Sequence, residues 1–318
     1  MCAGIIIDGC PAGLDLVVED FLADIERRKG GTQKGTTPRQ EEDLPIFKSG
    51  LFNNKTTGAP ITILFENKNI RSSDYEKQRA VPRPGHADFV AHKKFGGYED
   101  YRGSGHFSGR LTVALVAAGV IAKKILNSAK DGNTVQISST ILEIGGEHDL
   151  ERGLQKAIDA KDSIGGIIEC RATGLPVGLG EPFFDSAESL ISHIAFAIPA
   201  VRGVEFGTGF AAARMFGSEH NDAIEDANGK TRSNHAGGIV GGLTNGNDLV
   251  YRIAIKPTSS TPKEQNTLNW ETGNVETFSV KGRHDLCIAL RVPVILEAVT
   301  AVVLADLMLL EERIARVL

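Results

Sequence analysis

Six short polar stretches along the chain set glycine or proline beside arginine, lysine, histidine or aspartate. In order they are Arg27-Arg28-Lys29-Gly30, Pro82-Arg83-Pro84-Gly85-His86-Ala87-Asp88, the run from Arg102 to Arg110, Ser233-Asn234-His235-Ala236-Gly237-Gly238, Lys256-Pro257-Thr258-Ser259-Ser260 and Gly282-Arg283-His284-Asp285. Glycine lets a backbone approach a ligand and aim its N–H groups at anionic oxygens. Arginine forks grip carboxylate or phosphate with two parallel bonds, lysine adds a point charge, and serine or threonine hydroxyls complete a phosphate cradle. The chemistry on offer is therefore anion binding with histidine and aspartate near enough to move protons. Any one stretch, taken alone, is most simply a solvated turn. On that ground His92, His148 and His193 read as surface or locally satisfied residues, and His86, His235 and His284 stand out only by their dense turn surroundings. No two histidines have helix or hairpin ligand spacing, so a metal site is disfavoured.

Apolar patterning supplies the elements that must position these stretches. Ile5–Ile7 reads as a strand ended by Asp8-Gly9, and Asp15 to Arg28 as a helix with Leu16, Val17, Phe21, Leu22 and Ile25 on one side. Thr32 to Arg39 is polar and rich in glycine and threonine, the composition of a mobile loop. Strands are predicted at Ile61–Phe65, Asn133–Ile144, Gly165–Ala172, Asp248–Lys256 and Val275–Val280, with a long functional loop from Ile70 to Ser108. Helices are predicted from Leu111 to Leu126, Asp149 to Ala160 and Ser186 to Ile198, the last with a box-like start at Asp185 and Glu188. A final helix begins at Pro293, a favoured first-turn position. The run Gly103–Ser108 leads straight into the Leu111 helix, whose positive end suits an anion. The elements lack a strict strand–helix alternation, so the expectation is an α+β fold with antiparallel sheets packed on long helices. No internal repeat or linker divides residues 1–318, which read as a single domain.

Composition narrows the partners. The formal charge of −5 over 318 residues argues against a general nucleic-acid binder, so any anion site is local. Four cysteines, widely spaced, suit free thiols in a reducing compartment. Val292 to Leu310 is the most apolar stretch, yet Glu297 and Asp306 within it favour a buried helix over a membrane span. A cytoplasmic enzyme with no membrane partner is the expectation.

The order of the motifs is what carries specificity. Asp8-Gly9-Cys10-Pro11-Ala12-Gly13-Leu14, Pro82–Asp88, Arg102–Arg110, Ser233–Gly238, Lys256–Ser260 and Gly282–Asp285 resemble chorismate synthases in that family's own sequence order, from the first residues to about Leu307. The resemblance implies a β-α-β sandwich, with long helices enclosed between antiparallel sheets, assembled as a homotetramer. It implies a lyase of the shikimate pathway, feeding aromatic amino acid biosynthesis, that removes phosphate by 1,4-anti elimination from 5-enolpyruvylshikimate 3-phosphate to give chorismate. The cofactor implied is reduced FMN, with NADPH as reductant through a separate reductase. His86 is expected to protonate the reduced flavin, and Asp285 to assist deprotonation through the flavin. Flavin contacts are expected at His106, Phe107 and Ser108, at Gly241, at Lys256, Pro257, Thr258, Ser259 and Ser260, and at Arg283. Arg28 and Lys34 match positions tied to NADP or substrate phosphate, and Arg39, Arg83 and Arg110 are candidates for the substrate's carboxylates and phosphate.

The chain departs from the family pattern at several points. His106-Phe107-Ser108-Gly109-Arg110 stands where many members have Arg-Ser-Ser-Ala-Arg, Leu286 replaces a proline, and Lys34 replaces an arginine. The family's Gly-Glu-Ser-His-Gly motif, whose histidine is proposed to protonate the departing phosphate, falls before Met1. That leaves a second expectation open, a non-catalytic flavin- or phosphate-binding descendant. It also implies slower turnover by this chain than by one extended upstream, where a strand pairing with Ile5–Ile7 would lie.

Overall fold

The computed structural model describes residues 2–31, 33–38, 41–67, 80–129, 134–280 and 284–318. The chain opens with β1 (Cys2–Ile7), α1 (Glu19–Arg28), β2 (Ile46–Ser49), β3 (Leu51–Phe52), β4 (Lys55–Thr56) and β5 (Ile61–Glu66). It continues through α2 (Asp88–Phe95), α3 (Thr112–Leu126), β6 (Gln136–Ile144), α4 (Leu150–Ala160), β7 (Gly166–Thr173), α5 (Ala187–Ala195), β8 (Val201–Phe206) and α6 (Gly217–His220). It ends with β9 (Ile239–Val240), β10 (Leu243–Thr244), β11 (Leu249–Ile255), β12 (Gln265–Leu268), β13 (Val275–Phe278) and α7 (Pro293–Leu310).

Helices α3 and α7 are apolar nearly all round, so each needs cover on every side, and they pack chiefly on one another. A Cβ built on Gly119 would lie 2.2 Å from Cβ of Ala298, so the two backbones meet where only glycine fits. A three-stranded sheet ordered β1-β5-β2 covers α3, and a four-stranded sheet ordered β6-β7-β11-β8 covers α7. Every pairing in both sheets is antiparallel. In β5 the alternation of strand side chains turns Ile61, Ile63 and Phe65 onto the helices. Helices α1 and α5 pack beside α3 and α7 to complete the middle layer. This is the β-α-β sandwich expected, and one contiguous hydrophobic core runs through it.

Helix α7 is long and apolar enough to cross a membrane by length and composition. Its burial and its charge say otherwise. Glu297, 3% exposed, takes two 2.7 Å bonds from Arg27, lies 3.4 Å from Nζ of Lys123 and accepts the N–H of Ser139. This is the buried core helix anticipated from Glu297.

Several boundaries differ from the sequence reading. Helix α1 starts at Glu19 rather than Asp15, because the Asp20 carboxylate accepts the Val17 N–H and closes a turn there. Leu22 faces solvent while Leu16, Phe21 and Ile25 are buried. Helix α5 is capped by Ser186, whose hydroxyl accepts the Ser189 N–H, not by Asp185. The long segment read as loop from Ile70 to Ser108 holds α2 and a 3-10 turn at Arg102–Phe107; residues 70–79 lie outside the described residues. The described part of the polar segment after α1, residues 33–38, is docked rather than free. The Gly35 carbonyl accepts the N–H groups of Leu286 and Cys287, and Thr37 is 7% exposed. Strands β2 and β8 were not read at all, since neither alternates cleanly.

Candidate active site

The polar motifs converge at one end of the helical layer. The last turn of α1 and the first turns of α3 and α7 open there onto a cavity of about 400 Å³, a size suited to a small molecule. Its wall includes Arg28, Arg83, His86, Phe107, Ser108, Arg110, Asp285 and every residue from Lys256 to Ser260. Thr112 and Ile295 also reach it, so the positive ends of two long helices face the space.

The floor is built from arginines. Asp43, with a side chain 1% exposed, sits between Arg28 Nη2 at 2.7 Å and Arg110 Nη1 at 2.6 Å. Burial works to raise the Asp43 carboxyl, but the charges of Arg28 and Arg110 prevail and hold it below the usual carboxylate range. Burial, then the neighbouring Arg291 charge, pushes Arg28 down to about 10. That guanidinium is still a cation at neutral pH, but one short of countercharge. The Nε atoms of Arg28 and Arg110 are buried with no hydrogen-bond partner among the described residues. Buried polar atoms are normally satisfied, so these two leave the floor short of acceptors.

Asp285 stands beside this floor with both oxygens engaged. Oδ1 accepts the Thr37 N–H at 2.9 Å, and Oδ2 accepts from Arg291 Nη1 at 3.0 Å. Arg291 is itself anchored by a 2.8 Å bond from Nε to the Arg28 carbonyl. On the opposite motif, His86 Nδ1 lies 2.6 Å from Asp88 Oδ1, and Arg83 brackets Asp88 through Nε and Nη2, each at 2.8 Å. Lys256 donates to the Gly85 carbonyl at 3.0 Å and to the Ser259 hydroxyl at 2.7 Å, tying the Lys256–Ser260 stretch to the Pro82–Asp88 stretch. Burial, with help from Arg202, pushes the Lys256 amine below its ordinary value. Thr258 Oγ1 is buried and has no partner among the described residues.

Other expected residues lie apart. His106 borders a smaller recess with Asp88, Glu99 and Trp270, its ring packed edge-on against Phe95. Lys34 reaches the Gln155 side chain at 3.0 Å and does not border the main cavity. Gly241 forms the turn between β9 and β10, and His235 hydrogen-bonds Thr208; neither borders the cavity. Arg39 and Arg283 lie outside the described residues. Sequence reasoning missed Thr37, Asp43 and Arg291. Arg291 carried a usable signal, an arginine two residues before the proline that opens α7. Asp43 carried none, because its pairing depends on Arg110, far away in the chain.

A β-α-β sandwich with a cationic cavity holding a histidine and an aspartate defines an enzyme for a small polyanion. The family comparison is specific. The model of the chorismate synthase family matches residues 1–309, and the chain belongs to that family. It is 69% identical over 314 residues to a chorismate synthase of Chitinophaga pinensis, covering 99% of this chain and 93% of the relative. A Dehalococcoides mccartyi chorismate synthase is 43% identical over 342 residues, covering 100% of this chain and 94% of that one. A crystal structure of a chorismate synthase superposes with a TM-score of 0.71 at 25% identity, covering 98% of this chain and 92% of that chain. The chain is accordingly a lyase of aromatic biosynthesis, and the non-catalytic alternative finds no support among these relatives.

Proposed function

We propose that the cavity binds 5-enolpyruvylshikimate 3-phosphate with reduced FMN, and that His86 and Asp285 manage protons during loss of phosphate. The observation that carries this reading is the gathering of Arg28, Arg110 and Arg291 in the same cavity as His86 and Asp285. The substrate class brings two carboxylates and a phosphate, and Arg28, Arg110 and Arg291 are among the cations that border the cavity. The elimination breaks one C–H and one C–O bond, releases phosphate with the C–O electron pair and shifts the existing C=C bond, for a net gain of one C=C bond. Asp285, anionic and fixed by Thr37 and Arg291, offers an acceptor for the proton. His86 offers a group able to give or take a proton at Nε2.

The residues present fit a flavin phosphate. Lys256 supplies a cation, and Ser259 and Ser260 supply hydroxyls. Phe107, at the cavity wall, offers an apolar face for a ring system. Reduced FMN, when bound, supplies transient electron density to the allylic system. In this reading Arg28, engaged by Asp43 at the floor, serves the substrate, and NADPH reduces the flavin through a separate protein. The chain acts in the cytoplasm as one domain in a homotetramer. Phe183, Phe184, Phe210 and Phe216, 77% to 91% exposed, support burial of apolar side chains between copies.

Anaerobic titration tests the cofactor reading. Reduced FMN, which carries an extra negative charge, should bind at least about tenfold tighter than oxidised FMN, a difference of about 1.4 kcal/mol. Lys256→Met should weaken binding of both forms, by removing the cation at their common phosphate. Equal affinities for the two forms would count against the assignment.

A further inference from the structure

We propose that Asp88 is a positioning residue for catalysis: it fixes the proton of His86 on Nδ1, so that Nε2 is the nitrogen presented to the substrate cavity, and Arg83 serves this arrangement rather than binding the substrate. The inference deepens the reading in which His86 transfers a proton. His86 borders the main cavity, whereas Asp88 does not; it borders the small recess behind. Asp88 therefore acts on the reaction through His86.

The geometry fixes the tautomer. His86 Nδ1 and Asp88 Oδ1 are 2.6 Å apart, a separation that requires a proton between them. Asp88 also takes the backbone N–H of Arg83 at 3.0 Å and two guanidinium bonds at 2.8 Å, a set of donors that keeps it anionic. Although burial opposes ionisation, the bonds from Arg83 and His86 outweigh it and hold the carboxyl well below the usual range. The proton therefore belongs to Nδ1. A neutral His86 then has its lone pair on Nε2, and a charged one has its transferable proton there.

Arg83 is committed to this assembly. Four of its five N–H groups are used: Nε and one from Nη2 on Asp88, the other from Nη2 on Ser104 at 2.9 Å, and one from Nη1 on Ser260 at 3.1 Å. Nη2 also lies within hydrogen-bond distance of the His86 ring, 3.0 Å from Nδ1 and 3.3 Å from Nε2, so the guanidinium holds the ring as well as the carboxylate. With a side chain 5% exposed, Arg83 has little left to offer an incoming anion. Instead it ties the His86 loop to the turn before α3 and to the Lys256–Ser260 stretch.

The same logic holds in hydrolase triads, where replacing the aspartate by asparagine leaves the geometry but installs the wrong tautomer, at a cost of about 10⁴ in kcat. The experiment uses the full chain with ¹⁵N-labelled histidine, with the His86 signals assigned by comparison with His86→Ala. In the parent, the unprotonated ring nitrogen should be Nε2, without substrate or flavin. In Asp88→Asn it should switch to Nδ1, and kcat for chorismate formation should fall about 10²- to 10⁴-fold with KM changed less than about threefold. Asp88→Glu, which keeps a carboxylate, should restore the Nδ1–H tautomer and part of the rate. Adding Asp88→Asn to His86→Ala should cost little more. A parent ring with its proton on Nε2 would overturn the inference whether or not any variant folds. So would an equal loss from Asp88→Asn with and without His86. A His86→Ala enzyme at the parent rate would instead remove the proton-transfer reading itself, leaving the tautomer result standing on its own.

Discussion

His86→Ala and Asp285→Asn are each expected to lower kcat for chorismate formation by about 10²- to 10⁴-fold, the range for loss of a positioned acid or base. The reasons differ at the two positions. Alanine at 86 removes a ring that borders the cavity and leaves Asp88 with only its Arg83 bonds. Asparagine at 285 can still accept the Thr37 N–H through its amide oxygen. Its NH₂ group, however, would face Arg291 Nη1, which now lies 3.0 Å from Oδ2. Donor then meets donor, and the group that could take a proton is gone. Thermal melts at the parent value, combined with slow turnover, would place both effects in the reaction rather than in folding. Rates within about twofold of the parent would remove both residues from proton transfer.

The sequence exposed the architecture unevenly, and the reasons are physical. Helices α3 and α7 were legible because a central helix must be apolar all round, which writes an unbroken hydrophobic run. Strands β5, β6, β7 and β11 were legible through alternation or apolar content. Strand β8, with Gly203 and Glu205 among its residues, hides its period, and α2 hides inside a stretch full of glycine and proline. At the site, the glycine-rich stretches announced anion chemistry because glycine and arginine are needed wherever backbone approaches phosphate. The residues that hold those groups in place were silent. Asp43 is an ordinary acidic residue until Arg28 and Arg110 close on it, and Thr37 contributes only a backbone N–H to Asp285. Arg83 shows the converse, since its motif suggested a free anion receptor, whereas the fold spends its donors on Asp88, Ser104 and Ser260.

Asp43→Asn is expected to produce the largest loss of stability, about 3–5 kcal/mol, because it leaves two buried guanidiniums without their shared countercharge. In a chain of this size that corresponds to a fall in Tm on the order of 10 °C. The pH dependence gives an independent check. The folded Asp43 carboxyl is held below its unfolded value, so its stabilisation is fully present above the ordinary carboxylate range and is lost as pH falls through the folded value. The gap between parent and variant should therefore be widest near neutrality and shrink below about pH 4. Inorganic phosphate should stabilise the variant more than the parent, by supplying the missing negative charge to Arg28 and Arg110. Urea denaturation at neutral and acid pH, with and without phosphate, reads all of these. A variant as stable as the parent at neutral pH would mean that the arginine floor does not depend on Asp43.

The central claim, that this cavity eliminates phosphate with the help of a reduced flavin, is tested most directly by following chorismate and phosphate together under anaerobic conditions. The chain is given 5-enolpyruvylshikimate 3-phosphate with excess FMN, either reduced or oxidised. Chorismate and phosphate should appear in equal amounts with reduced FMN, and neither with oxidised FMN. Phosphate release at the same rate with oxidised FMN, or release without chorismate, would contradict the account.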